Sequence, residues 1–125
     1  MPGLEFKPNY VKNVGEPWFT LISLGLKKVE GRLNIGSFSQ MEAGNIVEWT
    51  NNDFGSQRQA ITRIKRKAQY ATFREYLEKE CLVNCLPGIK SLDTGVAVYH
   101  KYYSPAEEVA SGVVAIELEV LLTNS

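Results

Sequence analysis

A glycine followed at once by a two-residue alternation is the feature that most limits the folds open to this chain. In Gly25-Leu26-Lys27-Lys28-Val29-Glu30-Gly31-Arg32 the glycine closes an amphipathic stretch, and the residues after it alternate through Leu33. This is the pattern of a helix that ends where a strand begins. On such a strand Lys28, Glu30 and Arg32 share one face, while Val29, Gly31 and Leu33 share the other. Lys27 falls at the corner, from which an amine can reach into a cleft. The result is a cation–anion–cation cluster on a rigid support, suited to gripping a polar or phosphorylated ligand.

The elements around this corner follow from the same kind of pattern. Glu16 to Leu24 reads as a helix, with Pro17 at a first helical position and Trp18, Leu21 and Ile22 on one face. Lys28–Leu33 is the strand just described, Gly36–Gly44 a connection, and Asn45–Thr50 a second strand. Asn51-Asn52-Asp53-Phe54-Gly55 is a turn cluster. Gln57 to Lys67 reads as a long strand whose odd positions Ile61, Arg63, Lys65 and Lys67 form a mostly basic outer face. A helix is expected at about Thr72–Glu80, and another that Asp93 or Thr94 caps, carrying Val96, Tyr99 and Tyr103 on one side and ending at Pro105. In the last strand, Gly112 to Leu122, Val114, Ile116, Leu118 and Val120 point one way and Glu117 and Glu119 the other. Strands with interspersed short helices, and no βαβ regularity, predict an α+β domain: a small, curved, mostly antiparallel sheet or barrel with helices on its flanks.

Composition narrows the function classes. At 125 residues the chain is expected to form one domain, with its core at about 16–122. No apolar run approaches the roughly 20 residues that span a bilayer, and Met1-Pro2-Gly3-Leu4-Glu5 lacks the pattern of a signal peptide. An intracellular monomer with no membrane partner is the expectation. Cys81 and Cys85 stand in a C-x-x-x-C spacing that fits neither the usual redox nor the usual zinc motif, and His100 is the single histidine. No metal and no cofactor are expected, and the cysteines read as buried thiols. The net charge is zero, so no global basic field announces a nucleic acid. The charge is unevenly placed, however: Asn51–Glu80 holds seven basic residues against four acidic ones. A local patch with Arg63, Lys65 and Lys67 serves as a phosphate strip or simply as a solvated strand face.

Several stretches, taken in order, resemble one family. Pro17-Trp18-Phe19 followed by Gly25-x-Lys27-Lys28-Val29-Glu30-x-Arg32 resembles the ASCH family of PUA-like domains, whose hallmark is a Gly-x-Lys-x-Val/Ile-Glu-x-Arg segment. Phe38 through Gly44-Asn45-Ile46 resembles the family's Gly-Asp-Ile/Val step, with Asn45 in place of the common Asp. Tyr70 with Phe73, Leu86-Pro87-Gly88, Tyr99 through Tyr102-Tyr103-Ser104, and Gly112-Val113-Val114-Ala115-Ile116 continue the likeness over Glu16–Val120. The resemblance implies a barrel of five or six mostly antiparallel strands flanked by short helices, with a cleft between barrel and helices. It also implies binding of RNA, a nucleotide or a nucleoside.

Within that resemblance two chemistries stand side by side. The resemblance implies either binding or a small hydrolase acting on RNA or on a modified nucleoside. Some family members hydrolyse N4-acetylcytidine with a lysine, a threonine three residues later and a carboxylate from a later helix. The lysine maps onto Lys27, the threonine position holds Glu30, and Asp93 is the nearest candidate for the carboxylate. A free-base lysine is opposed by a neighbouring carboxylate, which favours its charged form. Binding asks less of the same residues. Lys27, Lys28, Glu30 and Arg32 form the expected cleft floor, Arg63, Lys65 and Lys67 an auxiliary strip, and Trp18, Tyr102, Tyr103 and Ser104 further contacts. Tyr99 reads first as core, and Glu30–Arg32 equally as an internal ion pair. A protein-interaction module that keeps the barrel and has lost the ligand is the third reading.

Overall fold

The strand order of the sheet fixes which segments meet at its two edges. The computed structural model describes residues 6–124; the Met1–Glu5 segment weighed above lies outside them. In chain order the elements are β1 (Tyr10–Asn13), α1 (Trp18–Ser23), β2 (Val29–Leu33), α2 (Gly36–Gln40), β3 (Ile46–Asn51), β4 (Arg58–Tyr70), α3 (Phe73–Glu80), α4 (Leu82–Cys85), α5 (Leu92–His100), α6 (Pro105–Ser111) and β5 (Val113–Asn124). They build an α+β fold around one five-stranded sheet in the order β1-β3-β4-β5-β2. The β1–β3 pair is parallel and the other three pairs are antiparallel. The sheet curls into a half-barrel whose edge strands are β1 and β2. Arg32 on β2 reaches toward Asn13 on β1, its Nη2 lying 3.4 Å from the Asn13 carbonyl oxygen.

Where β5 begins, both faces of the sheet are buried, which explains the unbroken apolar run Val113-Val114-Ala115-Ile116. Inside the curl, Val47, Trp49, Ala60, Ile64, Val114, Ile116 and Leu118 pack with Phe19 and Ile22 of α1 and with Met41. On the outer face Val29, Leu33, Val113 and Ala115 meet Phe73, Tyr76 and Leu77 of α3, Cys85 of α4, Leu86, and Tyr99 of α5. One side of β2 therefore belongs to the barrel interior, with Glu30 and Arg32, and the other to the helical layer.

Four sequence expectations are corrected. The strand β1 was not anticipated, because four residues with modest alternation give a weak signal that only pairing with β3 makes good. Pro105 does not end a helix but begins α6. Its missing N–H is no loss at a first helical position, and Ser104 and Glu107 form a capping box around it. The helix α5 is capped by Ser91, whose hydroxyl accepts from the Thr94 N–H, not by Asp93 or Thr94. The alternation in β4 also breaks. Ile64 pairs with Leu118 but Arg66 with Glu117, so Lys65 is an extra, bulged residue and the strand changes phase after it.

Candidate functional site

The Gly25 corner is tied down on three sides before any side chain is considered. Gly25 takes a positive φ of 75°, which glycine adopts without steric cost. The Lys27 N–H donates to the Leu21 carbonyl, the Lys28 N–H donates to Asn84, and the Lys28 carbonyl accepts from Leu118. These bonds anchor the corner to α1, α4 and β5. At this anchored corner, just before β2 begins, Lys27 is buried and Lys28 is exposed.

Lys27 is 2% exposed. Its amine donates to the Val29 carbonyl at 2.9 Å and to the Cys85 carbonyl, and lies 3.1 Å from Glu30 Oε1. Three acceptors match the three N–H groups of an ammonium. The other Glu30 oxygen, Oε2, accepts from Arg32 Nε at 2.9 Å. Burial would raise the Glu30 carboxyl, but Lys27 and Arg32 on either side outweigh it and hold the pKa below the ordinary value. Burial likewise opposes the charge on Arg32, and the Glu30 carboxylate overrides it, so the guanidinium is raised. The trio is thus a fully ionic cation–anion–cation arrangement in a largely dry place.

Above this trio opens a cleft of about 360 Å³ at the seam between β1 and β2. Its walls are Asn13 at the end of β1 with Val14 and Gly15 after it, Trp18 of α1, and Tyr99, Tyr102 and Tyr103 at the end of α5, over a floor of Lys27, Glu30, Gly31 and Arg32. The Lys27 amine lies 5.8 Å from the Trp18 ring centre. Tyr102 is 69% exposed at the rim, while Tyr99 is buried, stacked on Phe73 at 4.4 Å, its hydroxyl 3.1 Å from that of Tyr76. Burial pushes both the Tyr76 and Tyr99 phenols well above their usual range. They present neutral hydroxyls beneath the ionic floor.

A family model for the ASCH domain matches residues 13–122. The chain belongs to the ASCH domain family. Two solved structures share the fold of this ASCH domain. The crystal structure of the hypothetical protein PH0355 is 37% identical, with a TM-score of 0.79, and the match covers 89% of this chain and 97% of that one. Protein PF0455 from Pyrococcus furiosus, solved by solution NMR, is 38% identical, with a TM-score of 0.72, covering 90% of this chain and 96% of its own. No curated protein matches the chain.

Of the residues singled out by sequence, the ASCH fold brings Trp18, Lys27, Glu30, Arg32, Tyr102 and Tyr103 around one cleft. It places the others elsewhere. Lys28 is exposed: β2 begins only at Val29, so the alternation expected to set Lys28 beside Glu30 and Arg32 does not extend to it. Asp93, at the start of α5, is highly exposed and ion-paired to Arg74 at 2.7 Å. Ser104 spends its hydroxyl on the Glu107 N–H. The expected basic strip is divided by the bulge. Arg63 pairs with Glu119 at 3.0 Å and Lys65 with Glu117 at 3.4 Å on the outer face, whereas Lys67 turns to the inner face opposite Ile116 and donates to the Ser39 carbonyl. Cys85 is buried but Cys81 is exposed. His100 bonds Glu108 at 2.9 Å, remote in sequence from the cleft floor. Among the described residues no cluster could hold a metal ion, and no helix is long and apolar enough to cross a membrane. Asn13, Val14 and Gly15 were missed; the alternation Tyr10-Val11-Lys12-Asn13 just before them was the available signal.

Proposed function

We propose that the cleft binds RNA, taking one unstacked base between the aromatic walls and reading its edge with Glu30 and Arg32. The observation that carries this is the division of labour in the floor. Lys27 has its three donors committed to the protein, so it serves to hold Glu30 ionised and in place. Glu30 keeps lone pairs for an exocyclic amine or ribose hydroxyl, and Arg32 has N–H donors beyond those directed at Glu30 and Asn13. Aromatic planes with a polar edge reader are how single-stranded RNA is commonly recognised, and the ASCH family is generally linked to RNA binding. Amide hydrolysis of a modified nucleoside has less support. Glu30 is the one carboxylate among the described residues that line the cleft, and its partner lysine is spent on holding it.

Fluorescence anisotropy of a labelled single-stranded RNA oligonucleotide tests the reading. Affinity should fall with added salt, and Arg32→Ala should weaken binding by about tenfold or more, the range for a hydrogen bond to a charged group. Absence of measurable binding of RNA or nucleosides at low salt overturns it.

A further inference from the structure

Of the expected basic strip only Lys67 lacks a carboxylate partner among the described residues, and it lies on the inner face, apart from Arg63 and Lys65. On the outer face Arg63, Lys65 and Arg66 are matched by Glu119, Glu117 and Glu80. On the inner face three cations gather at the short helix α2. The Lys12 amine lies 5.0 Å from the Phe38 ring centre and the Arg32 guanidinium 4.8 Å from it, while the Lys67 amine donates at 2.8 Å to the carbonyl of the next residue, Ser39. Neither Lys12 nor Lys67 is ion-paired among the described residues. Lys27 balances Glu30, so Arg32, Lys12 and Lys67 leave a local surplus of positive charge beside the cleft.

Phe38 is not a stacking surface for a ligand. Its ring packs on Trp49 at 6.4 Å, and the cations lie against it. It acts as a fixed spacer that keeps Lys12 next to Arg32, which itself lines the cleft. Like charges held this close repel one another, and an anion beside them relieves the cost.

We infer that Lys12 and Lys67, gathered at α2 beside Arg32, bind backbone phosphate of an RNA strand whose base occupies the cleft, so that the ligand is an oligonucleotide rather than a free nucleoside. This rests on the RNA reading above and extends it from a base pocket to a track along the inner seam. Lys12 comes from β1 and Lys67 from β4, on the far side of β3, so the path does not follow sequence order, and Lys12 joins a residue, Lys67, that sequence had placed in a different strip.

The test compares wild type, Lys12→Gln, Lys67→Gln and the surface control Lys90→Gln. Each is titrated with a mixed-sequence single-stranded RNA hexanucleotide at several salt concentrations, and with the four common nucleosides. The track predicts that each lysine variant lowers the salt slope for the hexanucleotide by about 0.7, the share of one phosphate contact on a single strand. Lys90→Gln should keep the wild-type slope, and Lys12→Gln should bind nucleosides as wild type does. Wild-type slopes in both lysine variants overturn the track and leave the cleft reading standing, provided that Arg32→Ala still weakens binding. Wild-type affinity for nucleosides equal to that for the hexanucleotide also overturns it. No binding of either ligand overturns the track and the cleft reading together. Circular dichroism of each variant confirms that slopes are compared between folded proteins.

Discussion

Gly31 and Tyr76 occupy the same space to within a methyl group: a Cβ added to Gly31 would overlap the Tyr76 ring. The glycine sits between Glu30 and Arg32, so its bare backbone lets α3 press Tyr76 against the back of the strand that carries the charged floor. Tyr76 is fully buried and has no room to retreat. Gly31→Ala should therefore cost about 1–3 kcal/mol, the usual range for overpacking, measured by urea unfolding. Combining it with Tyr76→Leu should cost less than the sum of the two changes, since both act on one contact. Strict additivity would refute the close packing.

The ionic floor makes stability depend on pH in a defined direction. Burial raises the Glu30 carboxyl and its two cationic neighbours lower it further than that, leaving it below the ordinary value of 4.5. A carboxyl lowered on folding contributes stability above its unfolded pKa and loses it as pH falls through the folded one. Glu30→Gln should be less stable than wild type by about 3 kcal/mol at neutral pH, because it leaves Lys27 and Arg32 buried without their counter-charge. That gap should close in acid below the usual carboxylate range. A gap that stays constant between neutral and strongly acidic pH would count against an ionised Glu30.

The two cysteines should separate cleanly by reactivity. Burial pushes the Cys85 thiol up to about 11, against the pull of a hydrogen bond from Tyr76 and the nearby Lys27 charge. Cys81 is exposed. A thiol-specific chromogenic reagent at mildly alkaline pH should titrate one fast thiol in the native protein and two after denaturation. Cys81→Ser should abolish the fast one, and fast reaction of both thiols in the folded wild type would contradict the burial of Cys85.

Ser104 tests the reassignment of a residue that sequence placed at the ligand. Its hydroxyl accepts from the Glu107 N–H at 3.1 Å, and the Glu107 carboxylate accepts from the Ser104 N–H at 2.9 Å. Ser104→Ala should lower stability by about 1 kcal/mol, and Ser104→Asn should retain most of it, as for other N-caps. Equal stability of the alanine variant and wild type in chemical denaturation would remove the cap from the account.

Much of the fold was legible because it rests on local rules. The glycine stop and alternation located β2 to within a residue, and the apolar and acidic phases of the last strand assigned the inner face of β5. The helix expected at about Thr72–Glu80 is α3, with Thr72 as its cap, accepting from the Glu75 N–H. What misled was punctuation with two meanings. Pro105 fits the stop of one helix and the first turn of the next equally well, and only the Ser104–Glu107 box behind it decides. The bulge at Lys65 has no local signature, since any residue can be the extra one and pairing with β5 selects it.

The sequence by itself determined the family, the strand that carries the charged floor, and the presence of Lys27, Glu30 and Arg32 within six residues. These follow from spacing, and spacing along one strand survives folding. Only the tertiary structure decided that Lys27 turns inward while Lys28 does not. It also set Asn13 and the α5 tyrosines opposite that strand, and divided the expected basic strip into a neutralised outer face and an unmatched inner one. Those outcomes depend on which strands become edges and where a ladder slips, properties of pairing between distant segments that no single stretch of chain contains.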